Sequence, residues 1–358
     1  MTRRILVGDV PIGDGAPIAV QSMTNTRTSD VAATVAQIRA LETVGCEIAR
    51  VAVPDPDAAG ALPAIKAGIS IPLVADIHFD PALALAAIEA GVDKLRLNPG
   101  NITDPDKIAE IAEAAAVAGI PIRVGANSGS LADEYLDADG RASARGMVDS
   151  ALHEVRLLER LGFEQIVISL KGTNVDETIR ANREIAREVD YPLHIGITEA
   201  GTPWTGAIRS AVGLGVLLYE GIGDTLRVSL AGDPTREVRA AYSILRSLGL
   251  RKRGIDLHVC PTCGRTGTDL ASIAERIDAA LADVVEPLNV AVMGCEVNGP
   301  GEARDADVGL FGGKGRGVIY VDGKPATSAI PEDRLVDEFV RIVREVVARR
   351  REKGTKDA

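Results

Sequence analysis

Residues 72–98, PLVADIHFDPALALAAIEAGVDKLRLN, hold one complete repeat of the chain's plan. Pro72–Ile77 is a short apolar run. Asp80-Pro81 then sets a capping carboxylate ahead of a proline suited to the first helical position. Gly91 closes the alanine- and leucine-rich stretch, and Lys94–Asn98 opens the next apolar run. Runs of this length suit strands buried on both faces, as in a parallel sheet covered by helices.

The plan repeats on either side. Further runs lie at Ile18–Met23, Glu47–Val53, Pro121–Gly125, Gln165–Leu170, Pro192–Thr198 and Thr225–Leu230. Asp55-Pro56, Asp104-Pro105 and Asp233-Pro234 repeat the start signal, and Gly45, Gly119 and Gly162 repeat the stop. Eight strand–helix units predict an α/β fold of the (β/α)8, or TIM, barrel type. A doubly wound open sheet is the alternative, but no G-x-G-x-x-G follows the first run. Ile5–Asp14 precedes the first barrel strand and reads as a hairpin on the barrel floor.

The repeat stops at the basic link Arg246–Gly254, which divides the chain into a barrel domain, 1–250, and a smaller α+β domain, 251–358. The second part holds three cysteines, a helical stretch from Asp269 to Asp283 and a glycine-rich segment from Gly309 to Gly317. Residues 332–352 read as an amphipathic helix whose apolar side is Leu335, Val336, Phe339, Val340, Ile342, Val343, Val346 and Val347. Across 358 residues, 40 Lys and Arg stand against 51 Asp and Glu, a net charge of −11. That excludes a general nucleic-acid or membrane-surface binder. Four cysteines are too few for a disulfide scaffold, and no leader or membrane-spanning run is seen, so a soluble cytoplasmic protein is expected.

Barrel active sites form where strands end. Those ends carry Arg50, Asp76 with His78, Arg96 with Asn98, Arg123 with Asn127, Ser169 with Lys171, Glu199, and Arg227 with Ser229. Residues two apart share a strand face. Five cations, Arg50, Arg96, Arg123, Lys171 and Arg227, thus ring the mouth of an acidic protein, with Asp76 and Glu199 the carboxylates on the same rim. The excess suits a doubly phosphorylated small molecule, since guanidinium forks match phosphate oxygens. Asp76 and His78 read as proton-transfer or positioning groups, and Glu199 as a proton donor or a countercharge.

Cys260-Pro-Thr-Cys263 and Cys295 supply three thiolates. Glu302, on a Gly-Pro-Gly turn seven residues after Cys295, offers an oxygen ligand. An iron–sulfur cluster tolerates such a ligand and is favoured; a zinc-stabilised barrel that binds a phosphorylated metabolite without redox chemistry is the alternative. Cys46 reads as a core residue.

Seven motifs, met in order, resemble the bacterial 4-hydroxy-3-methylbut-2-enyl diphosphate synthases in their compact two-domain form. They are Val20–Thr26, Val74–Phe79, Leu97–Asn101, Gly196–Gly201, Glu220–Ser229, Cys260–Arg265 and Gly294–Glu302. The resemblance implies an oxidoreductase that reductively opens and dehydrates 2-C-methyl-erythritol 2,4-cyclodiphosphate. It implies a 4Fe-4S cluster on Cys260, Cys263, Cys295 and an exchangeable Glu302, in a domain like that of sulfite reductases. It further implies ferredoxin or flavodoxin as electron donor and a homodimer whose active site is shared between subunits.

Overall fold

A computed structural model describes residues 1–77, 80–97, 104–263, 266, 269–294, 299–313 and 315–354. The chain divides into two compact units, Met1–Arg251 and Lys252–Ala358.

The first unit opens with an antiparallel hairpin of β1 (Ile5–Val7) and β2 (Val10–Ile12). Then strand and helix alternate eight times: β3 (Ala19–Met23), α1 (Val31–Thr43), β4 (Ile48–Ala52), α2 (Pro56–Ala67), β5 (Leu73–Asp76), α3 (Pro81–Glu89), β6 (Lys94–Arg96) and α4 (Pro105–Ala118). They continue as β7 (Ile122–Val124), α5 (Ala144–Arg160), β8 (Ile166–Ile168), α6 (Val175–Glu188), β9 (His194–Ile195), α7 (Pro203–Tyr219), β10 (Thr225–Leu226) and α8 (Thr235–Ser247). The eight strands pair in the order β8-β7-β6-β5-β4-β3-β10-β9, and a parallel bridge between Ile168 and Leu193 joins the two ends. This is the expected barrel.

Local chemistry explains the helix starts. Asp55, Asp80 and Asp104 each accept a hydrogen bond from a first-turn backbone N–H, with proline at the next position. The fourth Asp-Pro pair behaves differently. Asp233 binds both the backbone N–H and the hydroxyl of Thr235, at 2.9 and 2.7 Å, so α8 begins one residue later than expected. Gly45, Gly91, Gly119 and Gly162 all take positive φ at the helix ends. β9 and β10 are shorter than their apolar runs. A Cβ on Gly196 would stand 2.6 Å from the Arg227 carbonyl oxygen, so the two chains close together there without side chains between them.

Alternation sorts the strand residues. Val20, Val51, Leu73, Leu95, Ile122, Ile168 and Leu226 face the helices in the main core. Ala19, Ile48, Val74 and Val167 face inward onto Ile5, Val7 and Ile12, so the hairpin plugs the floor. Each buried Val, Leu or Ile side chain here contributes about 1.5–3 kcal/mol.

The second unit runs β11 (Ile255–Val259), α9 (Leu270–Ala280), β12 (Leu288–Met293), α10 (Gly299–Asp305), β13 (Val308–Gly313), β14 (Arg316–Val321), β15 (Lys324–Pro325), β16 (Ile330–Pro331) and α11 (Glu332–Gly354). β11, β12 and β13 are parallel and the remaining pairings antiparallel, giving a mixed sheet. The glycine-rich segment forms the β13–β14 hairpin. The apolar side of α11 buries Leu335, Phe339, Val343 and Val347 on the sheet, with Val340 packed at the edge.

Candidate functional site

Above the plugged floor, the inward strand positions change from aliphatic to charged. Arg50, Asp76, Lys94, Arg96, Arg123, Ser169, Lys171 and His194 are all buried, and Arg227 is half-buried. Barrel interiors are ordinarily filled with branched apolar side chains, so this composition is a departure that the fold itself does not require.

Two carboxylates organise part of the charge. Asp76 accepts from Arg96 Nη1 at 3.2 Å and lies 3.8 Å from Arg50 Nε. It therefore stands between two guanidiniums, an arrangement that suits a countercharge better than a proton donor. Glu237, from α8, receives Arg227 Nε and Nη2 at 3.1 and 3.0 Å. It also accepts from the Ser22 hydroxyl at 2.9 Å and the Leu230 backbone N–H at 3.0 Å, and this fixes the Arg227 fork. The Met23 sulfur accepts from Arg50 Nε and Nη2 at 3.1 and 3.0 Å.

The remaining cations are less provided for. Arg123 Nη1 donates to Ser169 Oγ at 3.1 Å, while its Nε has no partner among the described residues. Lys171 Nζ lies 3.1 Å from where a Gly196 Cβ would be, so glycine leaves the ammonium its space. Lys94 Nζ crosses the barrel to Gln21 Oε1 at 3.3 Å.

Among the described residues, six inward cations face two carboxylates, Asp76 and Glu237. Burial pushes the Arg50 pKa down to about 10; Asp76 opposes that push, and Arg227 and Arg96 add to it. Burial, then neighbouring guanidiniums, hold Arg123, Lys171 and Lys94 well below their ordinary values. His194 is likewise driven down, by burial first and then by Lys171 and Arg123. Guanidiniums do not shed their protons, so the cost is relieved by an anion. Such an excess of positive charge suits a polyanion.

The structure brings together Arg50, Asp76, Arg96, Arg123, Ser169, Lys171 and Arg227 as expected from the sequence. Asn127 pairs by a parallel bridge with Lys171 at the mouth and is half-buried, as is Ser229. Glu199 lies just past β9, exposed, at φ +50, with no ion pair among the described residues. His78 and Asn98 lie outside the described residues. Sequence reading missed Gln21, Lys94, His194 and Glu237. The first three lie one alternation nearer the floor, and Lys94 could have been found two residues before Arg96.

In the second unit, Cys260 follows β11 directly, its backbone N–H bonded to the Val292 carbonyl at 3.1 Å. Its thiol is free and half-buried beside Ala291, Met293 and Ala306; Cys263 is free and exposed. Between them Thr262 sits at φ +32, an unusual conformation for a β-branched residue. Glu302, on α10, is exposed; Cys295 lies outside the described residues. Among the described residues no three His, Cys, Asp or Glu converge as a metal site. Two free thiols on a short strained loop are soft donors, and their chemistry fits a thiolate-held iron–sulfur group.

Comparison with known proteins follows this division. Residues 2–242 match the model of the GcpE TIM-barrel domain, and residues 256–345 that of the GcpE protein C-terminal domain. The chain is similar to the 4-hydroxy-3-methylbut-2-en-1-yl diphosphate synthase (flavodoxin) of Geobacter sulfurreducens. The two are 54% identical over 347 residues, 97% of this chain and 98% of the relative. It is 53% identical to the enzyme of that name from Symbiobacterium thermophilum, over 97% of this chain and 94% of the relative. A third, from Ectopseudomonas mendocina, is 50% identical over all of this chain and 96% of its own length. Among solved structures, Yersinia pestis dihydropteroate synthase superposes at TM-score 0.52 and 12% identity, over 70% of this chain and 100% of that one. That likeness concerns the barrel fold alone.

Proposed function

The chain belongs to the GcpE family, and from that premise we propose that it converts 2-C-methyl-D-erythritol 2,4-cyclodiphosphate to (E)-4-hydroxy-3-methylbut-2-enyl diphosphate. This is an oxidoreductase step of the non-mevalonate isoprenoid pathway. Two electrons and two protons enter, the ring C–O bond breaks, and one hydroxyl leaves as water. The observation that carries the reading is the set of six inward cations in the barrel, five buried and Arg227 half-buried, against two carboxylates among the described residues.

Arg50, Arg96, Arg123, Lys171 and Arg227 bind the two phosphoryl groups, with Asn98, Asn127, Ser169 and Ser229 as neutral partners. Asp76 and Glu237 keep the guanidiniums in place and limit their mutual repulsion. Cys260, Cys263, Cys295 and Glu302 would hold a 4Fe-4S cluster, which when bound supplies the electrons taken from flavodoxin, the donor in the relatives' names. The zinc-stabilised, non-redox alternative gains nothing from the relatives.

Protein purified without oxygen should contain iron and sulfide at about four each per chain and turn over the cyclic diphosphate with reduced flavodoxin. One zinc, no iron and no turnover after attempted cluster reconstitution would defeat the proposal.

Glu199 is read as the proton donor: it lies exposed four residues past β9, at φ +50, with no ion pair among the described residues. Glu199→Gln should lower kcat by about 10²–10⁴-fold with little change in KM. Full activity in that variant would leave Glu199 without a role in the chemistry.

No helix among the described residues is long and apolar enough to cross a membrane. The described cysteines, all free thiols, suit a cytoplasmic setting. The working form is a homodimer joined through α7. That helix carries Arg209 as its sole charge, and Trp204, Ile208, Val212 and Tyr219 stand exposed along one face. A helix apolar on both sides wants cover on both, and this face has nothing to repel its own copy. Ile208→Glu should shift the mass in light scattering from dimer to monomer; an unchanged dimer would place the contact elsewhere.

A further inference from the structure

Below the crown that binds the diphosphate lies a second polar layer with no assigned task. Lys94 is fully buried, and among the described residues its ammonium reaches a single hydrogen-bond partner, the neutral amide oxygen of Gln21 at 3.3 Å. The Gln21 Nε2 and both ring nitrogens of His194 have no partner among the described residues. β3 and β6 are not neighbours in the sheet, so the Lys94–Gln21 bond spans the interior. Underneath, the hairpin presents the aliphatic side chains of Ile5, Val7 and Ile12, with Val10 packed against them.

The charges facing Lys94 are nearly all of its own sign. Arg123 of β7 and Arg50 of β4 act on it most strongly, and both disfavour its proton. His194 of β9 in turn feels Lys94 and Lys171. Arg96 shares its strand, Lys171 and Arg227 complete the ring, and Asp76 and Glu237 are bound to Arg96 and Arg227. Guanidiniums in such a crowd keep their protons, whereas an amine can release one.

We propose that Lys94 is neutral in the free enzyme and takes up a proton from solution when the diphosphate anion binds above it, so that binding and proton uptake are one event. This rests on the reading of the crown as a diphosphate site. The anion supplies the countercharge that Lys94 lacks, and Gln21 Oε1 accepts from the ammonium so formed. The sign follows. A group that gains a proton on binding makes affinity rise as pH falls, by up to about tenfold per pH unit between its free and bound pKa values.

The test is titration calorimetry of the full-length holoenzyme with inorganic pyrophosphate, in buffers of differing ionisation enthalpy at one pH. The pyrophosphate's own protonation contributes equally to every variant. Wild type should therefore take up about one proton more per bound pyrophosphate than Lys94→Met. Gln21→Glu provides the second arm. A carboxylate beside Lys94 would hold it protonated beforehand, so binding should persist while the extra proton uptake disappears. Equal uptake in wild type and Lys94→Met, or undiminished uptake in Gln21→Glu, would overturn the inference while leaving the crown intact. Absence of pyrophosphate binding in wild type would remove the crown reading, and the inference with it.

Discussion

Arg123→Met should lower kcat/KM for the cyclic diphosphate by about 10²–10⁴-fold while leaving the melting temperature of the free protein unchanged or higher. Arg123 is buried, donates from Nη1 to Ser169, and has an Nε that nothing described accepts from. Its fork therefore has donors to spare. A hydrogen bond to a charged partner contributes about 1.5–3 kcal/mol, and losing a two-bond contact of that kind gives the stated range. Methionine keeps most of the stem's apolar volume and removes one cation from beside Arg50 and Arg96, which act against it. The opposite directions of the two effects make the prediction sharp. A structural arginine would show the reverse: a lower melting temperature and unaltered kinetics. Arg96 offers the contrast, because its loss breaks the 3.2 Å pair with Asp76 and should cost stability as well.

Which features could be read from sequence follows from how far each signal reaches along the chain. Helix starts and stops are local, a carboxylate acting two or three residues away or a glycine adopting positive φ, so the barrel repeat was legible from Asp80-Pro81 to Gly91 and its copies. Where a second local contact competed, the boundary moved: the Thr235 hydroxyl holds Asp233 and delays α8. The arginine crown was legible because alternation places Arg96 and Arg123 on the inner face once the strands are known. Its charge balance was not. Glu237 comes from a helix outside the sheet, ten residues from Arg227, and no strand-end rule points to it. Lys94, Gln21 and His194 were passed over for another reason. Attention to strand ends neglects strand beginnings, although two-residue alternation leads from Arg96 back to Lys94. In the second unit the thiol spacing was plain, but the order of its mixed sheet depends on long-range pairing that composition does not encode.

Cys260→Ser should abolish iron retention and reduce turnover below about a thousandth of wild type, with the barrel still folded and still binding pyrophosphate. Serine keeps the shape but replaces a soft thiolate with a hard, more basic oxygen, poorly matched to a site built for sulfur. The backbone there is already set: Thr262 N–H bonds the Cys260 carbonyl at 2.8 Å, and Thr266 N–H bonds the Cys263 carbonyl at 3.0 Å. The loss would therefore be one of ligation rather than of loop structure. Cys46 is the control. It lies in the barrel core, donates from Sγ to the Ile48 carbonyl at 3.2 Å, and burial pushes its thiol up to about 12, so it is neither thiolate nor accessible. Cys46→Ala should keep full iron content and differ only by a modest loss of stability. Equal iron in wild type and Cys260→Ser would remove Cys260 from the ligand set. Equal iron loss in both variants would show that the cluster responds to general destabilisation, and the specific assignment of the CPTC loop would fall.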